Sequence, residues 1–106
     1  MVFDFETEAA TSGTCLQGYA LATRQELIQI FGEPNESYLD DKCNFEWSLL
    51  FTNPKDSTDT IRATIYDWKC EPGNLSETIS WHIGGDGLDA VHCVAGHLLA
   101  HREKAA

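Results

Sequence analysis

The chain has 106 residues, of which 42% are hydrophobic, and its 17 acidic and 7 basic residues give a net charge of −10. This length and hydrophobic content predict one globular domain and exclude a disordered tail. The charge argues against direct binding to nucleic acid or to an anionic membrane, because phosphate contacts need Lys and Arg. It favours a basic partner, although surface acids often serve only to keep a protein dissolved.

The first 14 residues are rich in Thr, Ser, Gly and acids, and we expect a flexible N-terminal arm (1–14) ahead of a single domain (15–106). The arm lacks the basic start and apolar run of a secretory signal, and no stretch approaches the ~20 apolar residues of a membrane span. No C-x-x-C pair occurs among Cys15, Cys43, Cys70 and Cys93. We therefore expect reduced thiols in a cytoplasm, with two disulfides as the alternative in an oxidising compartment.

A short extended piece at 18–22 precedes the best-marked helix of the sequence, TRQELIQIFGEP. Thr23 followed by Glu26 forms a capping box, in which each side chain bonds the backbone amide of the other residue. Gly32 and Pro34 end the helix. Its apolar stripe consists of Leu27, Ile28 and Phe31.

Apolar and polar residues alternate in three later segments, FEWSLLFT, TIRATIYDW and TISWHI. This alternation predicts an antiparallel meander with one buried face and one face in water. The last segment, 88–102, repeats apolar residues at positions 88, 91, 95, 98 and 99, a helical stripe. The predicted fold is α+β: a small antiparallel sheet of three or four strands with two helices packed on one face, in the order (β)-α-β-β-β-α.

The turn before this last helix, GDGLDA at 85–90, fits the loose pattern of a dinucleotide-binding loop. Such a loop needs a following strand, and the helix uses nearly all of the 16 residues that remain after Ala90. Asp86 and Asp89 would also place negative charge beside a phosphate. We expect instead that Asp86 or a neighbour caps the helix and that Asp89 stabilises its positive end, with no cofactor.

The same helix carries Cys93, His97 and His101 at four-residue spacing, which would allow three metal ligands on one helix face. We expect that face to lie opposite the apolar stripe, in solvent. A polar helix face without a metal is the simpler interpretation.

Catalytic patterns are weaker still. No serine lies in a G-x-S-x-G elbow, and Cys93 and His92 diverge because they are adjacent on a helix. The pair Asp40 and Asp41 lies in a polar loop, where nothing would raise a carboxyl pKa. We predict no catalytic residue and no enzyme activity.

Two surface features remain as candidates for partner binding. The polar sides of the strands also carry large residues, which are frequent interface anchors, unless the arm covers them through Phe3 and Phe5. These outward residues are Leu50, Tyr66, Trp68, Ser80 and His82. The second feature is an acidic loop after the first helix, whose carboxylates either mimic phosphates toward Arg and Lys or are simply solvated. The predicted partner-binding residues are Glu33, Glu36, Asp40, Asp41, Tyr66, Trp68 and His82.

The run QGYALATRQELIQIFGEP, then FEWSLLF, ATIYDWK and SWHIGG ahead of a helix, resembles a family of small acidic proteins from bacteriophage genomes. The shared order is an L-x-GY-type start, a helix ending in FG-x-P, a C-x-W strand, an ATIYDYK-like strand and a W-HIGG turn. The likeness covers about residues 16–100, and CNFEW lengthens the third element here. The helix–FGEP–strand beginning is also similar to lipoprotein assembly modules, a likeness of fold only, because this chain lacks their lipid-attachment signal.

Small acidic phage proteins often inhibit host defences, as anti-CRISPR proteins and restriction inhibitors do. The resemblance implies a phage-encoded stoichiometric inhibitor that acts in the host cytoplasm. Its acidic and aromatic surface would occlude a basic nucleic-acid-binding site of a host defence complex, as a DNA mimic does. The alternatives are an enzyme or metal-binding factor, and a structural or regulatory phage protein whose acids only keep it dissolved.

Overall fold

A computed structural model describes residues 2–34, 45–67 and 74–105. They form five strands and two helices: β1 (Asp4–Thr7), β2 (Cys15–Thr23), α1 (Arg24–Phe31), β3 (Glu46–Asn53), β4 (Asp56–Tyr66), β5 (Thr78–Gly85) and α2 (Asp89–Ala105). The strands make one sheet in the order β1-β3-β4-β5-β2, and all neighbours are antiparallel. The predicted α+β class is confirmed, but the sheet has five strands where three or four were expected.

The additional strand and the lengthened one form the two edges of the sheet. β1 lies within the expected N-terminal arm and pairs with β3, with Phe5 opposite Phe51. β2 is longer than the extended piece predicted at 18–22 and pairs with β5 along its length, with a register shift between Leu16 and Gly18. Pairing with a distant strand makes these segments extended, and that information is not local in sequence.

Both helices cover one face of the sheet, and the buried residues of strands and helices share a single core. Trp47 and Trp81 form its centre, with ring centroids 5.5 Å apart in an edge-to-face arrangement. Their indole N–H groups donate to the carbonyls of Gly32, at 2.8 Å, and Ala22, at 3.0 Å, so neither buried donor is orphaned. The buried apolar residues are Ala22, Leu27, Phe31, Trp47, Leu49, Phe51, Ala63, Ile65, Trp81, Ile83, Ala90, Val94 and Leu98.

The predicted limits of α1 are confirmed. The Glu26 N–H donates to Thr23 Oγ1 at 3.0 Å, and the Thr23 N–H donates to Glu26 Oε1 at 2.9 Å. Gly32 ends the helix with φ of 86°, a conformation that glycine adopts without steric cost, and its N–H donates to the carbonyl of Ile28. The capping box and this glycine therefore fix the helix at both ends.

The predicted apolar stripe of α2 coincides with its buried face only in part, at Leu98 and the partly buried Val91. The buried residues are Ala90, Val94 and Leu98, whereas Leu88 and Leu99 are 58% and 60% exposed. The helix is rotated because Ala90 rests on Gly85 of β5, where an added Cβ would lie 2.5 Å from the Ala90 Cβ. Apolar residues of the predicted stripe are consequently displaced toward the β2 edge of the sheet.

Residues 8–14 must cross the sheet, because β1 and β2 lie at opposite edges. Four strand spacings amount to about 19 Å, and seven extended residues reach about 25 Å, so the path is nearly direct. The helices occupy one face, and the segment therefore takes the other, which we call the open face. Thr11 Oγ1 donates to Ser48 Oγ of β3 at 3.3 Å, and Arg62 Nη1 of β4 donates to the Ser12 carbonyl at 3.0 Å.

Candidate functional site

Three rings form a row across the open face, one from each of three adjacent strands. The strand register places His82 of β5 opposite Tyr66 of β4 on one side and opposite Tyr19 of β2 on the other. The His82 ring centroid lies 5.3 Å from that of Tyr66 and 4.9 Å from that of Tyr19. We call Tyr19, His82 and Tyr66 the aromatic row. Tyr19 is 57% exposed and the other two residues are half-buried, so the row presents an ordered aromatic surface to solvent.

The neighbouring rung of the open face is closely packed and carries small residues. Gly84 lies beside Thr64, and a Cβ at this glycine would stand 2.4 Å from Thr64 Oγ1 and 3.6 Å from Cε1 of Tyr66. Even alanine at position 84 would therefore displace the Thr64 side chain, whereas the distance to Tyr66 is an ordinary van der Waals contact. The glycine therefore allows Thr64 to pack closely against β5 beside the aromatic row.

The crossing segment covers a different part of the open face. Ser48 and Thr64 are 5% and 6% exposed although they point away from the helices, and Thr11 bonds the Ser48 hydroxyl. Phe3 and Phe5 do not take part. Phe5 packs against Phe31 with centroids 5.0 Å apart, on the helix-covered side. Phe3 also packs against the core, so neither phenylalanine covers the outward side chains; the part of the expected arm that lies on the open face is residues 8–14.

Of the predicted partner-binding residues, the structure brings together Tyr66 and His82. Glu33 is exposed at the end of α1. It follows Gly32, whose carbonyl accepts from Trp47 of the helix-covered face, so Glu33 does not belong to the aromatic row. The remaining predicted residues lie outside the described residues: Glu36, Asp40, Asp41 and Trp68.

Sequence reasoning missed Tyr19, although a signal was present. In QGYALAT, Tyr19 and Leu21 alternate with Ala20 and Ala22, the pattern of a strand with one buried side. What the pattern lacks is the neighbour: nothing local indicates that this strand lies beside β5, with Tyr19 opposite His82. The same register places Leu21, 66% exposed, two residues further along β2 on the same face.

Two ion pairs engage arginines in the described part of the chain. Arg62 holds Asp86 through two bonds, Nε to Oδ2 at 2.8 Å and Nη2 to Oδ1 at 2.6 Å, and the hydrogen bonds lower the pKa of Asp86. Asp86 or a neighbour was expected to cap α2, and the carboxylate of Asp86 binds Arg62 instead. Arg102 similarly binds Glu26, with Nε 2.8 Å from Oε2. Each pair is internally neutral, so the negative excess resides on the other acidic side chains.

The face of α2 with Cys93, His97 and His101 is not the exposed face that was expected. The ring of His97 lies against Phe5, Phe31 and Phe51, with centroids 5.1, 5.6 and 5.5 Å away. Its Nε2 lies 2.6 Å from the Phe3 carbonyl oxygen, and because a carbonyl can only accept, Nε2 carries the proton.

His101 Nε2 lies 3.0 Å from Gln29 Oε1 of α1, so this histidine also has a protein partner. Among residues 2–34, 45–67 and 74–105, no group of three or more His, Cys, Asp or Glu side chains is arranged to hold a metal ion. The helical spacing that raised the idea of a metal thus corresponds to packing and hydrogen bonding.

Cys93 borders an open cavity of about 270 Å³ between α2, β4 and the N-terminal residues. Burial raises the pKa of the Cys93 thiol to about 11, and the carboxylates of Asp89 and Asp59 contribute. Because the thiolate is the reactive form, this environment is the opposite of one that activates a cysteine nucleophile. Cys93 and the exposed Cys15 are both free thiols. The cavity is lined by Val2, Phe3, Asp59, Ile61, Asp89, His92, Cys93 and Gly96.

Neither helix in the described part of the chain is long and apolar enough to cross a membrane. The chain matches no protein-family model, no curated protein and no solved structure. The assignment of a function to its surface therefore rests on the charge, packing and exposure of its own residues.

Proposed function

We propose that the chain is a phage-encoded stoichiometric inhibitor that occupies a basic nucleic-acid-binding site on a host defence complex, in the manner of an anti-CRISPR protein. The observation that carries the proposal is the aromatic row on the open face of a chain with a net charge of −10, in which Tyr19 is 57% exposed and Tyr66 and His82 are half-buried. An ordered aromatic surface on a chain of large net negative charge fits binding to a cationic protein site.

The aromatic row supplies the apolar part of the contact. Its rings are held by one another, with centroids at 4.9 and 5.3 Å, so little side-chain freedom remains to be lost on binding. Tyrosine is enriched among the residues that dominate binding energy, because it buries a large area and still donates a hydrogen bond. We expect Tyr66 and His82 to be central contacts. We also expect Trp68, two residues after Tyr66 in the sequence, to contribute.

The charge supplies attraction and orientation. Carboxylates attract the arginines and lysines of a nucleic-acid site, and the summed field of such a protein accelerates encounter with a basic surface. Glu33, Glu36, Asp40 and Asp41 concentrate four acids within nine residues. In this proposal they take the place of phosphates, and the inhibitor competes directly with nucleic acid.

The experiment that tests the proposal is capture from a bacterial lysate on the immobilised chain, followed by identification of the bound complex. We expect a nucleic-acid-binding complex that is retained at low salt, is released as salt increases, and is captured without its nucleic acid. Added duplex or single-stranded competitor should reduce its capture.

A pair of quadruple variants of equal charge tests the acidic loop. Changing Glu33, Glu36, Asp40 and Asp41 to Lys takes the net charge from −10 to −2, since each replacement adds two. The matched control changes four exposed acids elsewhere to Lys and also reaches −2: Asp4, Glu6, Glu77 and Glu103. We expect the loop variant to lose capture and the control to keep most of it.

If both quadruple variants lose capture equally, the acidic loop contributes only through the net charge and makes no specific contact. If the loop variant keeps full capture, the proposed mimicry is refuted. The aromatic contribution is tested separately with Tyr66→Ser and His82→Ser. The exposed Leu75→Ser serves as their control, because it removes an exposed apolar side chain that does not belong to the aromatic row.

A further inference from the structure

The outer edge of β2 differs from the rest of the surface of this acidic chain. None of its nine residues, CLQGYALAT, is charged. Its exposed large side chains are Leu16, Tyr19 and Leu21, with exposures of 46%, 57% and 66%. Leu99 of α2, 60% exposed, lines the same hollow as Tyr19 and Leu21, so helix and strand together form one apolar margin.

β2 also ends the sheet with a long unpaired side. It is the last strand of the order β1-β3-β4-β5-β2, and no strand of residues 2–34, 45–67 or 74–105 pairs with its outer side. The opposite edge, β1, has only four residues, of which Asp4 and Glu6 are charged and exposed. Short charged edges discourage strand addition, whereas a long apolar edge invites it. The two edges of this sheet therefore differ in what they can bind.

The charges around β2 decide which kind of partner fits. The flanking Glu26 is already bound by Arg102, and the Arg24 guanidinium lies 4.3 Å above the ring of Phe45. A basic partner would find no unengaged carboxylate on this strand. A second copy of the chain, which carries −10 itself, could approach here with the least repulsion, because this margin of the described chain has no excess charge.

The sequence of β2 is also complementary to itself. Antiparallel pairing of two copies about Ala20 places Tyr19 of each copy opposite Leu21 of the other, so the two most exposed side chains of the strand cover each other twice. Only Ala20, Gly18 and Ala22 meet on the side of the helices, where bulky residues would collide with α2. Arg102 Nη2 already donates to the Leu21 carbonyl at 2.8 Å, which shows that a donor outside the sheet reaches this strand. A carbonyl oxygen accepts two hydrogen bonds, so a second donor can be added.

We propose that two copies of this chain associate through β2, antiparallel and about a two-fold axis at Ala20, to form a continuous ten-stranded sheet. The open faces of both copies then join, and the two aromatic rows meet across the axis. The inference stands on the edge strand alone and does not depend on the proposed inhibitor function.

The test is the molar mass of the purified chain by sedimentation equilibrium or light scattering. The monomer has a mass of 11.8 kDa. We expect twice this mass for the wild type and for Leu75→Lys, and the monomer mass for Leu21→Lys over the same concentrations. Leu75 is 47% exposed and lies outside β2, so its variant controls for a new positive charge on an exposed leucine. Near-ultraviolet circular dichroism confirms that both variants keep the packed tryptophans.

Cross-linking tests the register independently. In a Cys15→Ser background, Ala20→Cys should form an intermolecular disulfide on mild oxidation, because facing residues in an antiparallel pair bring their Cβ atoms within about 5 Å. Glu77→Cys, exposed before β5, is the control and should not. A monomer at protein concentrations up to about 1 mM, which excludes all but the weakest association, would overturn the inference. So would a dimer that Leu21→Lys leaves intact and Ala20→Cys fails to cross-link.

Discussion

Arg102, in the last turn of α2, is bound to Glu26, the residue that completes the capping box of α1. Arg102 Nε lies 2.8 Å from Glu26 Oε2, and Glu26 Oε1 accepts from both Arg102 Nη2, at 3.2 Å, and the Thr23 N–H, at 2.9 Å. One carboxylate thus joins the start of the first helix to the end of the second. This bond adds a polar link between two helices that are far apart in sequence and share one apolar core.

The first prediction concerns the pH dependence of stability. The hydrogen bond from Arg102 lowers the pKa of Glu26 from 4.5 to about 2. A depressed folded-state pKa contributes stability above the unfolded value, and this contribution is lost as the pH falls from 4.5 toward 2. Glu26→Gln keeps the capping geometry but removes the charge, so we expect a loss of about 1 kcal/mol at pH 7, reduced by solvent around the half-exposed Arg102.

The measurement is urea denaturation of wild type and Glu26→Gln at several pH values. The difference in unfolding free energy should be largest at neutral pH and should vanish near pH 2. Glu77→Gln, at an exposed site before β5, should show no such difference. A difference that does not vary with pH would mean that the charge of Glu26, and with it the ion pair to Arg102, contributes nothing to stability.

The second prediction compares Gly85, in the turn that resembles a dinucleotide-binding loop, with Gly96 in α2. At Gly85 an added Cβ would lie 2.5 Å from Ala90 Cβ and 2.9 Å from the Arg62 carbonyl oxygen. Gly85→Ala should therefore destabilise the fold by about 1–3 kcal/mol, the usual cost of overpacking. Gly96, within α2, has open space around it, and Gly96→Ala should stabilise by about 0.5–1 kcal/mol because alanine favours helix.

These opposite signs are checked by the urea midpoints of the two single variants. Because no nucleotide is present in the assay, a loss of stability in Gly85→Ala reports the close packing of α2 against β5 and not a need for space around a bound ligand. Equal, small effects at Gly85 and Gly96 would mean that α2 can move away from β5 at little cost.

The third prediction concerns His97, which joins α2 to the N-terminal strand. Its Nε2–H donates to the Phe3 carbonyl at 2.6 Å, while the ring packs among phenylalanines. His97→Phe preserves an aromatic ring and removes the hydrogen bond, so we expect a loss of about 1 kcal/mol. Amide hydrogen exchange should become faster in β1 and stay unchanged in β5. Uniform acceleration through all strands would instead indicate that the whole core has been disturbed.

Local patterns in the sequence predicted the elements that depend on neighbouring residues. Thr23, Glu26 and Gly32 determine α1 through bonds within nine or ten residues, and alternation marks β3, β4 and β5. The sheet order could not be predicted, because it depends on which strands meet after the chain crosses the open face. For the same reason, sequence placed Tyr66 and His82 on one surface but omitted Tyr19, whose place is set by its pairing with β5.

The α2 stripe shows why periodicity alone misassigned a face. Leu88 and Leu99 are larger than Ala90 and dominate the apolar pattern, yet Ala90 is the buried residue and both leucines are exposed. Burial followed shape: a small side chain is needed where the helix approaches Gly85. Leu99 lies instead beside β2, where it contributes to an edge that the pattern did not reveal.

The last prediction concerns the segment that crosses the open face. Arg62 connects this segment to the turn ahead of α2. Its Nη1 donates to the Ser12 carbonyl at 3.0 Å, and its Nε and Nη2 bind Asp86. Arg62→Met keeps most of the apolar stem and removes all three bonds, so we expect proteolysis within residues 8–14 to accelerate while the domain remains folded. Asp86→Asn should have a smaller effect, because Arg62 can still reach Ser12. If both variants are cleaved at the rate of the wild type, Arg62 does not hold the segment. The bond from Thr11 to Ser48 and the short length of the segment would then hold it, and Thr11→Val should increase cleavage.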